Sequence, residues 1–252
     1  MAIVSHPAPS VPTDGAEFAR NLAAVRARIV AAAGRAGREA DEVAVVAVSK
    51  TVPLERLRSA PAAGIADLGE NRGQEAAAKI EALGHAVTWH LVGHLQSNKA
   101  KAAVTLFDLV HSVDGVELAT ALDRHAGALG KRQRVLFQVN VSGEARKSGF
   151  TPAELRTVVE CLAALPHLQP EGLMTIAPQT AGEEDLRGIF RALRLLRDQL
   201  APAFPGEPWR HLSMGMTDDY EIAVEEGATL VRVGRAIFGE RVPGGAGASG
   251  RH

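Results

Sequence analysis

Eight short apolar runs of buried-strand type recur along this 252-residue chain, spaced so that about one helix fits between successive runs. They are VAVVAVS (43–49), IADLG (65–69), TWHLVG (88–93), LFDLVHS (106–112), RVLFQVNV (134–141), EGLMTI (171–176), RHLSMG (210–215) and TLVRVG (229–234). The first is a continuous β-branched run, the pattern of a strand covered on both faces. Helical spacing of apolar residues fills most of the gaps, over 53–63, 70–83, 115–129, 152–165, 183–200 and 218–226. A further helix over 17–33 precedes them, with Phe18, Leu22, Val25 and Ile29 as its stripe and Gly34 and Gly37 ending it. Such alternation predicts a parallel sheet. Eight units in this length predict an α/β fold, a single (β/α)8 TIM-type barrel with an extra N-terminal helix. An open doubly wound sheet is the other topology the alternation permits.

The barrel is expected over residues 15–241, with flexible ends at 1–14 and 242–252. The last stretch, VPGGAGASGRH, is Gly-rich and charge-poor. A chain this long buries roughly three-quarters of its unfolded surface and needs no structural metal or disulfide. Cys161 is the one cysteine, placed in an apolar helical stretch and expected in the core; a reducing compartment suits it. The segment MAIVSHPAPSVP has three prolines and no basic start, so it does not read as a signal peptide. No apolar run nears the ~18 residues of a membrane span. A soluble cytoplasmic protein is therefore expected. Net charge is -1, and one Tyr, two Trp and seven Phe offer little for base stacking, so neither nucleic acid nor membrane is an expected partner.

In a barrel the chemistry sits where strands end. The first run ends Ser49-Lys50-Thr51, and Lys50 shares a strand face with Ala44, Val46 and Val48. If the valines point inward, Lys50 caps the barrel mouth, where lost hydration favours an amine able to attack a carbonyl. A solvated lysine at a strand end is the other reading. After the seventh run, Ser213 and Gly215 precede a helix start; after the eighth come Gly234 and Arg235. Hydroxyl, open backbone and charge at these two strand ends favour a phosphate cup, although ordinary turns also use glycine. Asp218 and Asp219 read as caps of the next helix. Arg232 stands between Val231 and Val233 and requires either a carboxylate partner or a ligand.

Other motifs fail. His90 and His94 lie in a strand, where four residues span ~13 Å, so they do not share a metal. No metal site is expected. GALGKR lacks the spacing of a phosphate loop, and no GxSxG elbow is present.

Taken in order, AVSK, LGENRGQE, WHLVGHLQSNK, HSVD, QVN, GLMTI, LSMGMTDDYE and VRVGRAIFG closely resemble the pyridoxal phosphate homeostasis protein family, from the first helix to Arg241. The resemblance implies a barrel of the alanine-racemase type that holds pyridoxal 5'-phosphate without established catalysis. It places Lys50 at the lysine that forms the internal aldimine. Ser213, Gly234 and Arg235 fall on the phosphate cup, Arg232 on the arginine facing the pyridine nitrogen, Asn71 beside the cofactor and Met174 on the pocket lining. Position 235 is Arg where many relatives carry Thr, and GENRGQE replaces the commoner GENYVQE, which leaves the role of the Arg235 side chain open. Lys147 is either a secondary lysine or, more simply, a solvated loop residue. An arginine opposite the ring nitrogen weakens the ring as an electron sink. A racemase on this plan also needs a tyrosine from a second domain; the one tyrosine is Tyr220, and no residues remain for that domain. The expected role is therefore a monomeric carrier that passes the cofactor to apo-enzymes. The alternatives are a pyridoxal-dependent racemase, or a Schiff-base aldolase with Asp67 or Glu70 as acid/base partner of Lys50.

Overall fold

The computed structural model describes residues 13–144 and 147–239. Eight strands form a closed parallel barrel: β1 Ala44–Val48, β2 Asp67–Glu70, β3 Thr88–Leu91, β4 Leu109–Val113, β5 Gln133–Gln138, β6 Leu168–Met174, β7 His211–Ser213 and β8 Leu230–Val233. Each strand pairs with the next, and β8 returns to β1 with Val46 opposite Arg232. The eight apolar runs are thus strands, and the sheet is closed rather than open.

Side-chain alternation sorts these strands into two layers. Val46, Val92, Leu109, Leu136, Met174 and Leu230 meet inside the barrel. Ala47, Leu68, Val110, Phe137, Leu173 and Val231 face outward into the larger core beneath the helices. One glycine is needed for this geometry. Gly172 has φ 143, and a Cβ there would stand 2.0 Å from the His211 carbonyl oxygen, so β6 and β7 approach only without it.

The covering helices are α1 Thr13–Arg35, α2 Leu54–Leu57, α3 Gly73–Leu83, α4 Ala100–Leu106, α5 Val116–Ala128, α6 Pro152–Ala163, α7 Glu183–Leu200, α8 Tyr220–Glu225 and α9 Arg235–Phe238. Helix α1 buries the expected stripe of Phe18, Leu22, Val25 and Ile29 and packs on α8 and α9. It begins at Thr13, two residues before the expected barrel boundary, and Arg56 fastens Asp14 at 2.9 Å and Glu17 at 3.4 Å. The rest of the expected loose ends, 1–12 and 242–252, lies outside the described residues, as does Arg241.

Three local expectations are corrected. The helix expected over 53–63 shrinks to α2, because Pro61 has no N–H to continue the ladder and the chain turns instead. Helix α4, short and alanine-rich, was not expected; it takes Leu106 from the fourth apolar run and displaces the start of β4 to Leu109. Cys161 is exposed, not core. Leu155 and Leu162 form the buried face of α6, and Cys161 lies with Glu154 and Thr157 on the opposite one.

Candidate functional site

At the carboxyl end of β1, Val46 is fully buried inside the barrel and Lys50 leaves the strand on the same side, half-buried. Its neighbours face outward and are clamped. The buried Ser49 hydroxyl donates to Glu70 Oε1 at 2.6 Å. Lys79 of α3 donates to the Ser49 carbonyl (2.8 Å), Glu70 Oε1 (2.7 Å) and Glu75 Oε1 (2.9 Å). Glu75 Oε1 also accepts the Thr51 amide at 2.6 Å, holding Thr51 at φ 65, a left-handed conformation that β-branched residues avoid. Lys50 is therefore presented by a peptide fixed on both sides from outside the barrel.

Burial pushes the Glu70 carboxyl up despite Lys79 and Ser49, and its Oε2 has no hydrogen-bond partner among the described residues. On the more open Glu75, burial acts the same way, but Lys79, the Thr51 amide and Arg72 outweigh it and hold the group low. Glu70 is turned toward α3, and Asp67 lies at the far end of β2, bonded to His90.

Arg232 points into the barrel and is 5% exposed. Its Nη1 donates to Ser213 Oγ at 2.6 Å and its Nη2 to the Thr175 carbonyl at 2.9 Å. Among the described residues no carboxylate lies within ion-pair distance of it; burial lowers the guanidinium to about 10, against the more distant pull of Asp219. The buried ion pair is thus not found, and the ligand alternative remains. Ser213 is fully buried, bonded also to His111 Nδ1 at 2.8 Å, and stands in register with Met174 of β6, which closes the inner apolar cluster.

The two loop glycines are explained by chain approach. A Cβ on Gly234 would stand 3.1 Å from the Val48 carbonyl, so glycine keeps the end of β8 against the end of β1. Gly215, at φ 90, turns against Tyr220 and Ala223 of α8. Arg235 opens α9 and reaches Asp218 at 2.6 Å, bridging the loops after β7 and β8. Asp219 occupies the N-cap position of α8, but its carboxylate turns back to the Met216 amide. Neither aspartate therefore caps the helix with its side chain.

Asn71 directly follows β2, half-buried, with Gly93 against its backbone; a Cβ at 93 would stand 2.4 Å from the Asn71 oxygen. Lys147 is half-buried, paired with Glu144 at 2.9 Å and reaching the Ile176 carbonyl beyond β6. His90 and His94 do not converge: His90 faces His111 inside the barrel, whereas His94 pairs with Asp114. Among the described residues no cluster of metal-ligating side chains occurs.

At the opposite end of the barrel, a cleft of about 530 Å³ is lined by Lys131, Arg132 and Arg134. Its cations are already committed, to the Val104 carbonyl, Glu207 and Glu171. Sequence reasoning missed His111, Thr175 and the Lys79 clamp; of these, only His111, alternating with Leu109 on the inward face of its run, had a readable signal.

Residues 20–242 match the family described as "Alanine racemase, N-terminal domain". The pyridoxal phosphate homeostasis protein of Aquifex aeolicus is 43% identical, with 87% of this chain and 96% of that protein covered. Its counterpart in Pseudomonas aeruginosa is 44% identical, with 89% and 96% covered. PipY of Synechococcus elongatus, solved with PLP bound, superposes with a TM-score of 0.78 at 40% identity, covering 88% of this chain and all of that one. Among the described residues no helix is long and apolar enough to cross a membrane.

Proposed function

Because the chain belongs to the alanine racemase N-terminal domain family and, within it, to the pyridoxal phosphate homeostasis proteins, we propose that it binds pyridoxal 5'-phosphate and carries it in the cytoplasm to apo-enzymes, without turnover of its own. Arg232 carries this reading: a buried guanidinium with two neutral partners is costly unless a polar ligand completes its surroundings. The donor set fits the group. When bound, pyridoxal phosphate supplies an aldehyde, a pyridine ring and a dianionic phosphate.

Lys50 provides the amine for the aldehyde, presented on a peptide that Glu70, Lys79 and Glu75 immobilise. Arg232 takes the ring nitrogen. Its positive charge disfavours a proton on that nitrogen, so the ring withdraws electrons poorly, which supports a carrier over an enzyme. Ser213 and the backbone of Gly234 and Arg235 take the phosphate, and the Arg235 side chain exchanges Asp218 for it. Asn71 and Met174 line the site. Tyr220, the one tyrosine of the chain, adds support: it is 1% exposed in the core against α1, with Arg28 over its ring. It is not presented as an acid or base.

The test is retention and hand-over. Protein incubated with pyridoxal phosphate and desalted is expected to retain it stoichiometrically and to restore activity to an apo-enzyme. Alanine racemisation by the loaded protein at ordinary rates of ~1–1000 per second would overturn the carrier reading. Arg232→Met is expected to lower ligand affinity and shift the absorption of the bound ligand. Its effect on stability is expected to stay within about 1 kcal/mol, since a well-packed apolar side chain replaces an incompletely compensated charge. Unchanged affinity and spectrum would remove Arg232 from the site.

A further inference from the structure

Beneath the site a hydrogen-bonded chain crosses the barrel interior. Arg232 Nη1 meets Ser213 Oγ at 2.6 Å, and Ser213 Oγ meets His111 Nδ1 at 2.8 Å. His111 Nε2 meets His90 Nδ1 at 2.9 Å, and His90 Nε2 meets Asp67 Oδ1 at 3.0 Å. Ser213, His111 and His90 are buried, but the Asp67 side chain is 24% exposed, at the opposite end of the barrel from Lys50. The chain therefore links the ligand end to water at the other end.

With Asp67 as a carboxylate, one arrangement of protons satisfies every link. The carboxylate only accepts, so His90 donates from Nε2 and accepts at Nδ1. His111 then donates from Nε2 and accepts at Nδ1, and the Ser213 hydroxyl donates to it while accepting from Arg232. In this state the hydroxyl hydrogen is turned away from any ligand. The reversed arrangement needs one proton more, held between His90 and Asp67. His90 and His111 then donate from Nδ1, and the Ser213 hydrogen is released toward an acceptor.

We propose that Asp67, His90 and His111 are positioning residues that set the direction of the Ser213 hydroxyl, and that a phosphate accepting from Ser213 draws one proton into the His90–Asp67 pair. This rests on the reading that the ligand phosphate sits at Ser213. The other charged groups facing the chain are Arg232 on β8, Arg134 on β5 paired with Glu171 of β6 at 2.7 Å, and His211 on β7; Asp219, before α8, faces Arg232. Burial, with His90, Arg232, His211 and Arg134, keeps His111 well below the usual imidazole range, so it stays neutral in both states. The added proton belongs beside the carboxylate. Affinity for a phosphate-bearing ligand therefore falls as pH rises, and release is favoured on the alkaline side.

The test compares the full-length protein with Asp67→Asn. An asparagine amide can donate to His90 Nε2 and hold the reversed direction without an extra proton. Titrating pyridoxal phosphate calorimetrically in buffers of different ionisation heat, the wild type is expected to take up one proton more than the variant; contributions from Lys50 and the phosphate are common to both. Its affinity should accordingly change about tenfold per pH unit relative to Asp67→Asn. Nitrogen-15 spectra of the free protein should show both imidazoles protonated at Nε2; on binding His111 should move to Nδ1 and His90 should gain protonation at Nδ1. Equal proton uptake in the two proteins, or tautomers that do not change, would overturn the proposal. Should Asp67→Asn not fold, the wild-type tautomers decide alone. A protein that binds no pyridoxal phosphate would instead overturn the functional reading, and Nδ1-protonated rings in the free protein would also sink the chain.

Discussion

Lys50→Ala is expected to abolish the visible absorption band that attachment of pyridoxal phosphate to Lys50 would give, and to leave the barrel folded. The loss is expected to be complete because, on the proposed reading, the band depends on attachment to one amine. Lys50→Arg, which keeps the charge but not the nucleophile, is expected to give the same result. Folding survives because the strand end is held by other groups. The inner cluster at Val46 and Met174 does not include Lys50, and the clamp uses the Ser49 hydroxyl and carbonyl and the Thr51 amide. Stability is expected to fall by no more than about 1 kcal/mol, read from urea unfolding. A band that persists in Lys50→Ala would move the attachment to another lysine, with Lys147, tied to the Ile176 carbonyl, the first to replace.

Lys79→Met is expected to give the largest loss of stability, about 3–5 kcal/mol, because it strands the fully buried Glu70 without its cation. That is a substantial part of the 5–15 kcal/mol holding a typical domain. The sign of its pH dependence follows from Glu70. Burial already raises the Glu70 pKa, and losing Lys79 raises it further. Between the unfolded and folded values the native state binds more protons than the unfolded one. Stability therefore falls as pH rises through that window, and the penalty is smallest in acid. Adding Glu70→Gln removes the charge and is expected to restore most of the loss; the double-mutant cycle measures the coupling. Urea midpoints across pH supply the check. A cost below about 1 kcal/mol, or one indifferent to pH, would show that Lys79 does not compensate Glu70.

The barrel was legible because period and length both speak for it. VAVVAVS is a strand by composition, and eight such runs spaced by helices leave few topologies. Local boundaries were less legible. Helix α4 carries AKAAVTL, with no capping side chain and a strand-like continuation, so Leu106 and Phe107 read as part of the next strand. Cys161 shows the limit of composition: the helix is apolar enough to bury a cysteine, but only the phase of Leu155 and Leu162 decides which side is covered.

Lys50 and Ser213 stand out in the sequence as strand-end residues, and Arg232 as a charge inside an apolar strand. Their surroundings do not, because Lys79 reaches Glu70 from helix α3 and His90 reaches Asp67 across the β2–β3 pair, and the sequence shows neither packing. In the sequence Arg232 needs either a carboxylate or a ligand, and among the described residues its hydrogen-bond partners are the neutral Ser213 and Thr175.

The seam between β1 and β8 has a consequence for how the protein is made. Lys50 follows the first strand, Arg232 lies in the last and Gly234 follows it, so Val46 meets Arg232 only once β8 has emerged. A nascent chain halted before β8 owns the reactive amine but neither the guanidinium nor the loop beside it. On the proposed reading, capture of ligand requires that β8 has closed on β1, and a pairing this distant in sequence is among the slowest to form. A ligand held by both strands would stabilise the closed barrel over any form in which they are apart.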